Sequence, residues 1–105
     1  MIKIDFPSPD GCQLKIVIKG HSGLENVGND VVCAAVSVLL QTFVAGIETE
    51  ADGKIFGTYE PGNCDLLVEV PQINQKLFVK ICNIFRFGFQ KIAESHPDHV
   101  NLKIT

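Results

Sequence analysis

Between Asp30 and Glu48 the chain runs for 17 residues, Val31 to Ile47, without a charged side chain. No other feature limits the fold as strongly. Ser37, Gln41, Thr42 and Gly46 interrupt the run, and it falls short of the roughly 20 apolar residues that span a membrane comfortably. No membrane is therefore expected as a partner. The run reads as a core helix, and because it is apolar nearly all round, it calls for cover on more than one side.

The rest of the chain supplies that cover. Ile2, Ile4 and Phe6 alternate with Lys3 and Asp5, the pattern of a strand with one buried face. Pro7 to Gly11 is a turn by composition. Leu14, Ile16 and Ile18 alternate with Lys15 and Lys19, giving a second strand and a hairpin with the first. Gly20 to Asn29, with three glycines and little periodicity, reads as a loop. Asp30 is placed as the N-cap of the helix, which then runs to about Ile47 or Glu48. Ile55 to Glu60 and Asp65 to Val70 form a second hairpin through Pro61-Gly62-Asn63. A second helix is predicted from about Gln72 to Ser95. Leu77, Ile81, Phe85, Gly88 and Ile92 lie on its inner face, and Phe87 falls among the polar residues. His96-Pro97 ends it. Val100, Leu102 and Ile104 alternate as a last strand. The order ββαββαβ implies an α+β domain over residues 1–105, a mainly antiparallel sheet packed with two helices.

Composition narrows the function. The formal charge is -3 and the chain has a single arginine, so nucleic acid is a poor partner. No basic segment precedes an apolar run at the N-terminus, so no signal peptide is expected. The four cysteines, Cys12, Cys33, Cys64 and Cys82, show no CxxC spacing. Thiols in a reducing cytoplasm fit better than disulfides or zinc. His96 and His99 straddle a helix end, which leaves a metal two ligands short of a usual site. No metal or cofactor is called for.

Asp30, Cys33, Ser37 and Gln41 are spaced by three, four and four, so they form one stripe along the first helix. Under the N-cap placement Cys33 is the third helical residue. Unpaired N–H groups and the positive helix end then favour thiolate, while the Asp30 charge opposes it. His21, 12 residues earlier, could act as base or as cationic partner. Ser37, one turn on, could donate to the sulfur or to an oxyanion, and backbone N–H groups at the helix start are further candidates. Ala34 and Ala35 would let a peptide or another helix approach closely. Each residue also has a plain structural reading. Cys33 could be a core thiol, His21 a surface residue, Asp30 a cap, and Ser37 could bond back to a helix carbonyl. On spacing alone the structural readings are the stronger.

Gly20-His21-Ser22-Gly23 followed by Asp30-Val31-Val32-Cys33-Ala34-Ala35-Val36-Ser37 resembles the signature of the Prp family, the bacterial ribosomal-processing cysteine proteases. The resemblance spans the chain. It departs at Ser22, where the family usually has alanine, and at Leu24, where an aromatic is frequent. The resemblance implies an endopeptidase that removes the N-terminal extension of a large-subunit ribosomal protein precursor, cutting after an aromatic residue through an acyl-enzyme. By motif position it implies Cys33 as nucleophile and His21 as general base, with Asp30 and Ser37 in support. Gly20, Ser22, Gly23 and Gly28 would belong to a substrate-covering loop. It further implies a homodimer, while the cytoplasm is expected from the cysteine usage. Two rival readings stand beside it. One is a non-enzymatic ribosome-associated binding module, which an exposed Phe87 would suit. The other is a thiol redox or transfer enzyme, which the lack of a nearby resolving cysteine disfavours.

Overall fold

The computed structural model describes residues 1–20, 27–60 and 62–104, with the backbone alone for 27–30. The strands are β1 (Ile2–Asp5), β2 (Gln13–Lys19), β3 (Lys54–Glu60), β4 (Asn63–Glu69) and β5 (Val100–Lys103). The helices are α1 (Val27–Glu50), between β2 and β3, and α2 (Gln75–Ser95), between β4 and β5. The strands form one sheet in the order β3-β4-β2-β1-β5. β1 pairs with β2, β2 with β4 and β3 with β4, all antiparallel, while β1 and β5 run parallel. The predicted element order and the mainly antiparallel α+β architecture are thus observed.

The period-two alternation sets which face is covered. Ile4 pairs with Ile18, Ile18 with Cys64, Ile16 with Leu66, Leu14 with Val68, and Ile2 with Val100. Paired residues project to the same side, so these side chains make one continuous apolar face, and all of them are buried. Val32, Val36, Leu40, Phe43 and Ile47 of α1 and Phe78, Cys82 and Phe89 of α2 close over it in the same core. The opposite face carries Lys15, in a loose, solvent-exposed ion pair with Asp65 at 3.9 Å. Gln13 donates to Glu69 at 2.8 Å on that same face.

Phe6, just past the end of β1, ties the layers together. Its ring meets Phe43 of α1 edge-on at 5.6 Å and Phe89 of α2 at 5.2 Å, and Phe43 continues to Phe85 at 5.3 Å. The Arg86 guanidinium lies 5.8 Å from the Phe6 ring centroid and donates to the Pro7 carbonyl at 3.3 Å. The two helices touch where Gly88 leaves room for Leu39: a Cβ on Gly88 would come within 2.8 Å of a Leu39 methyl.

Three expectations are corrected. α1 begins at Val27, so Asp30 lies inside its first turn rather than at the N-cap, and Gly28 and Asn29 are helical rather than loop. An aspartate is favoured in either place by the positive helix end, which is why residue type alone could not separate them. Residues Gln72–Asn74 form a 3₁₀ turn ahead of α2, held where the Asn74 amide donates to the Ala51 carbonyl at 2.9 Å. The buried line of α2 passes through Phe78, Cys82 and Phe89, leaving Leu77 at its border and exposed. Leu77 and Phe78 are both apolar and adjacent, so periodicity does not say which one points inward.

α1 is also covered on fewer sides than its composition suggested. Val31–Glu50 meets the length and composition of a membrane span, a test that core helices also meet. Val31 and Val38 are 57% and 62% exposed on its outer face. Its cover is the sheet on one side and α2 beside it.

Truncating Phe6 should cost about 3–5 kcal/mol, the range for a fully buried phenylalanine. Ile73→Ala, at a position 91% exposed, should change stability by less than about 0.5 kcal/mol. Urea unfolding midpoints of the two variants check this, and equal losses would contradict the packing described.

Candidate active site

The buried stripe of α1 also aims its polar stripe. Val32, Val36 and Leu40 point into the core. The next residue in each case, Cys33, Ser37 and Gln41, is turned by about 100°. That rotation brings all three to the wall of one cavity of about 510 Å³. Cys33 is half-buried there. The Gln41 amide donates to the Ser37 hydroxyl oxygen at 3.0 Å.

The rest of the wall comes from strand ends. Ile18, Cys64 and Tyr59 are partners in one row across β2, β4 and β3, and all three line the cavity with Ile2 of β1. Gly20 joins them, and its N–H donates to the Gly62 carbonyl at 3.1 Å. Gly20 has φ +100°, and a Cβ there would collide with the Met1 carbonyl oxygen, so only glycine fits. Glu60 and Asn63 are among its polar lining. Lys19 donates its ammonium to the Asn63 side-chain oxygen. The result is a mostly apolar wall with a few polar groups, the usual make-up of a ligand pocket.

Of the residues singled out in sequence, Cys33, Ser37 and Gly20 meet at this cavity. Asp30 and Gly28 are placed by backbone in the first turn of α1. His21, Ser22 and Gly23 lie outside the described residues. The early helix start changes the chemistry at the thiol. Cys33 is the seventh residue of α1, not the third. The unpaired N–H groups and the concentrated dipole belong to residues 27–30. Cys33 sits beyond them, where helix N–H groups bond to carbonyls of the preceding turn.

The four cysteines separate clearly. None is in a disulfide. Burial, with the nearby Asp65 charge, pushes the Cys64 thiol up to about 11. Burial pushes Cys82 up to about 12. Both are therefore protonated at neutral pH and poor nucleophiles. Cys64 nonetheless lines the same cavity as Cys33. Sequence reasoning missed this, along with Ile2, Ile18, Tyr59 and Asn63, because strand register alone brings them together. Iodoacetamide at pH 8 should label Cys33 and Cys12 on the native protein and leave Cys64 and Cys82 unmodified until unfolding. Mass mapping reads this, and labelling of Cys64 at the Cys33 rate would contradict it.

Solved structures share this architecture. The essential ribosomal processing protease Prp from S. aureus, in complex with a substrate peptide, aligns over 100% of both chains with a TM-score of 0.78 at 20% identity. The same protease with a covalently linked product peptide gives 0.77 at 21%, again over 100% of both chains. SMU.848 from Streptococcus mutans gives 0.81 at 27%, over 100% of this chain and 94% of that one. No curated protein matches in sequence. A family model, Cysteine protease Prp, matches residues 1–101. The chain belongs to the cysteine protease Prp family.

Proposed function

We propose that this protein removes the N-terminal extension of a large-subunit ribosomal protein precursor, using Cys33 as nucleophile and His21 as general base. The observation that carries the reading is the half-buried Cys33 on the wall of a largely apolar cavity, one helical turn from Ser37. Membership of a cysteine protease family supports the reaction type. The S. aureus protease, described as ribosomal processing and seen with a substrate peptide and with a covalently linked product peptide, supports the substrate class.

In this reading an apolar or aromatic side chain of the peptide fills the space over Ile2, Ile18 and Cys64. His21 takes the Cys33 proton and the sulfur attacks the scissile carbonyl. The C–N bond breaks as His21 returns the proton to the leaving amine, which departs as the new N-terminus. Water then attacks the thioester, gives a proton to His21, and releases the carboxylate product and the thiol. Asp30 and Ser37 act in support, and Gly20, Ser22, Gly23 and Gly28 lie in or beside the segment that covers the peptide. The work is placed in the cytoplasm, where a reducing environment keeps Cys33 a thiol.

A peptide spanning the extension junction should be cleaved once, after its aromatic residue. Cys33→Ala should abolish cleavage and His21→Ala should reduce it by at least about 100-fold. Cleavage that survives Cys33→Ala would sink the nucleophile assignment. Peptide binding without cleavage by the unaltered protein would favour the binding-module reading.

The protein is further proposed to work as a homodimer. Exposed Val31 and Val38 on α1 and exposed Ile84 and Phe87 on α2 support this, since apolar residues repeat on the outer faces of both helices. Sedimentation should give twice the chain mass of 11.5 kDa. The Ile84→Asp, Phe87→Asp double variant should sediment at the single-chain mass, and a monomeric unaltered protein would refute the assembly.

A further inference from the structure

We propose that Gln41 is a positioning residue, which occupies the acceptor side of the Ser37 hydroxyl so that its proton is offered to the oxyanion formed at Cys33. The inference rests on the protease reading above.

The argument begins with the three hydroxyls on α1. Thr42 donates to the Val38 carbonyl at 2.7 Å, and Thr49 donates to the Ala45 carbonyl at 2.7 Å. Both protons are used up in the usual back-bond of a helical hydroxyl. Ser37 is different. Its oxygen accepts the Gln41 amide at 3.0 Å, and among the described residues it makes no bond to a helix carbonyl. A hydroxyl carries one donor and two acceptor positions. With one acceptor position filled by an N–H, the proton is the one donor still to be satisfied, beside the second acceptor position. Acceptance from the amide also polarises the O–H and strengthens it as a donor.

Placement gives that proton a use. Ser37 lies four residues after Cys33, so the two side chains are neighbours on one face, and both line the cavity with Gln41. Attack by Cys33 turns the scissile carbonyl oxygen into an oxyanion that needs a donor already in place. The helix N–H groups near Cys33 are committed to the α1 ladder, because the helix begins six residues earlier, at Val27. A side-chain donor one turn along the same face fits the need. In the free protein the Ser37–Gln41 pair is solvent-exposed and weak. A peptide seated in the cavity would exclude water and strengthen it where the charge develops.

Replacing the amide with a carboxylate reverses the bond. In Gln41→Glu the side chain can only accept, so it draws the Ser37 proton away from the substrate. The expected result at pH 7.5 is a fall in kcat of about 10- to 100-fold with KM within about twofold, somewhat less than the loss of a whole oxyanion donor. Activity relative to the unaltered enzyme should recover as pH falls and the introduced carboxylate protonates. The other titratable groups on the cavity wall, Cys33, Tyr59, Glu60 and Cys64, are common to both enzymes, so the ratio reports the substituted position. Ser37→Ala combined with Gln41→Glu should be no slower than Ser37→Ala alone. Iodoacetamide labelling of Cys33, which forms no oxyanion, should proceed at the same rate in all variants. Gln41→Glu with unaltered kcat would overturn the proposal. So would losses that multiply in the double variant, or a loss with no pH-dependent recovery. Absence of cleavage by the unaltered enzyme would instead defeat the protease reading on which the proposal stands.

Discussion

The phase of α1 against the sheet is the constraint on which the rest depends. Val32, Val36, Leu40, Phe43 and Ile47 are buried against the apolar face of the strands, and each full burial of this kind contributes about 1.5–3 kcal/mol. That line fixes the rotation of the helix about its axis. Once it is fixed, Cys33, Ser37 and Gln41 have no freedom to point elsewhere, because each follows a buried residue by one position. The same hydrophobic contacts that hold the fold therefore aim the thiol. Phe6 reinforces this from below, since its ring touches α1 through Phe43 and α2 through Phe89.

Much of this was legible in the sequence. Alternation in Ile2-Ile4-Phe6 and Leu14-Ile16-Ile18 identified the covered face, and the three-four-four spacing identified the polar stripe. Two things were not legible. The start of α1 was misplaced, because an acid at Asp30 suits a cap and a first turn equally. The cavity was invisible, because its wall joins Ile2, Ile18, Tyr59 and Cys64, which are distant in sequence and meet only through the register of β1, β2, β3 and β4. The rotated face of α2 belongs to the same class of miss. Leu77 and Phe78 are equally apolar, and only the position of the partner sheet distinguishes them.

The misplaced helix start matters for chemistry. A thiol in the first helical turn would draw on the dipole and on unpaired N–H groups. A thiol in the second turn does not, so the proposed reaction cannot rely on the helix end for activation or for oxyanion binding. This is why a hydrogen bond as ordinary as that between Gln41 and Ser37 carries weight. It also explains how two thiols can share one cavity with different roles. Cys64 is held protonated by burial, while Cys33, on the same cavity wall, is the thiol proposed as nucleophile.

The central claim is that Cys33 forms a covalent bond to the acyl half of the substrate. Acid-quenched mass spectrometry of the enzyme during turnover of the junction peptide tests it most directly. The account predicts a transient adduct with the mass of the N-terminal fragment, less one water, mapped to Cys33. An adduct on Cys12 or Cys64, or a burst of the C-terminal fragment with no adduct on Cys33, would contradict it.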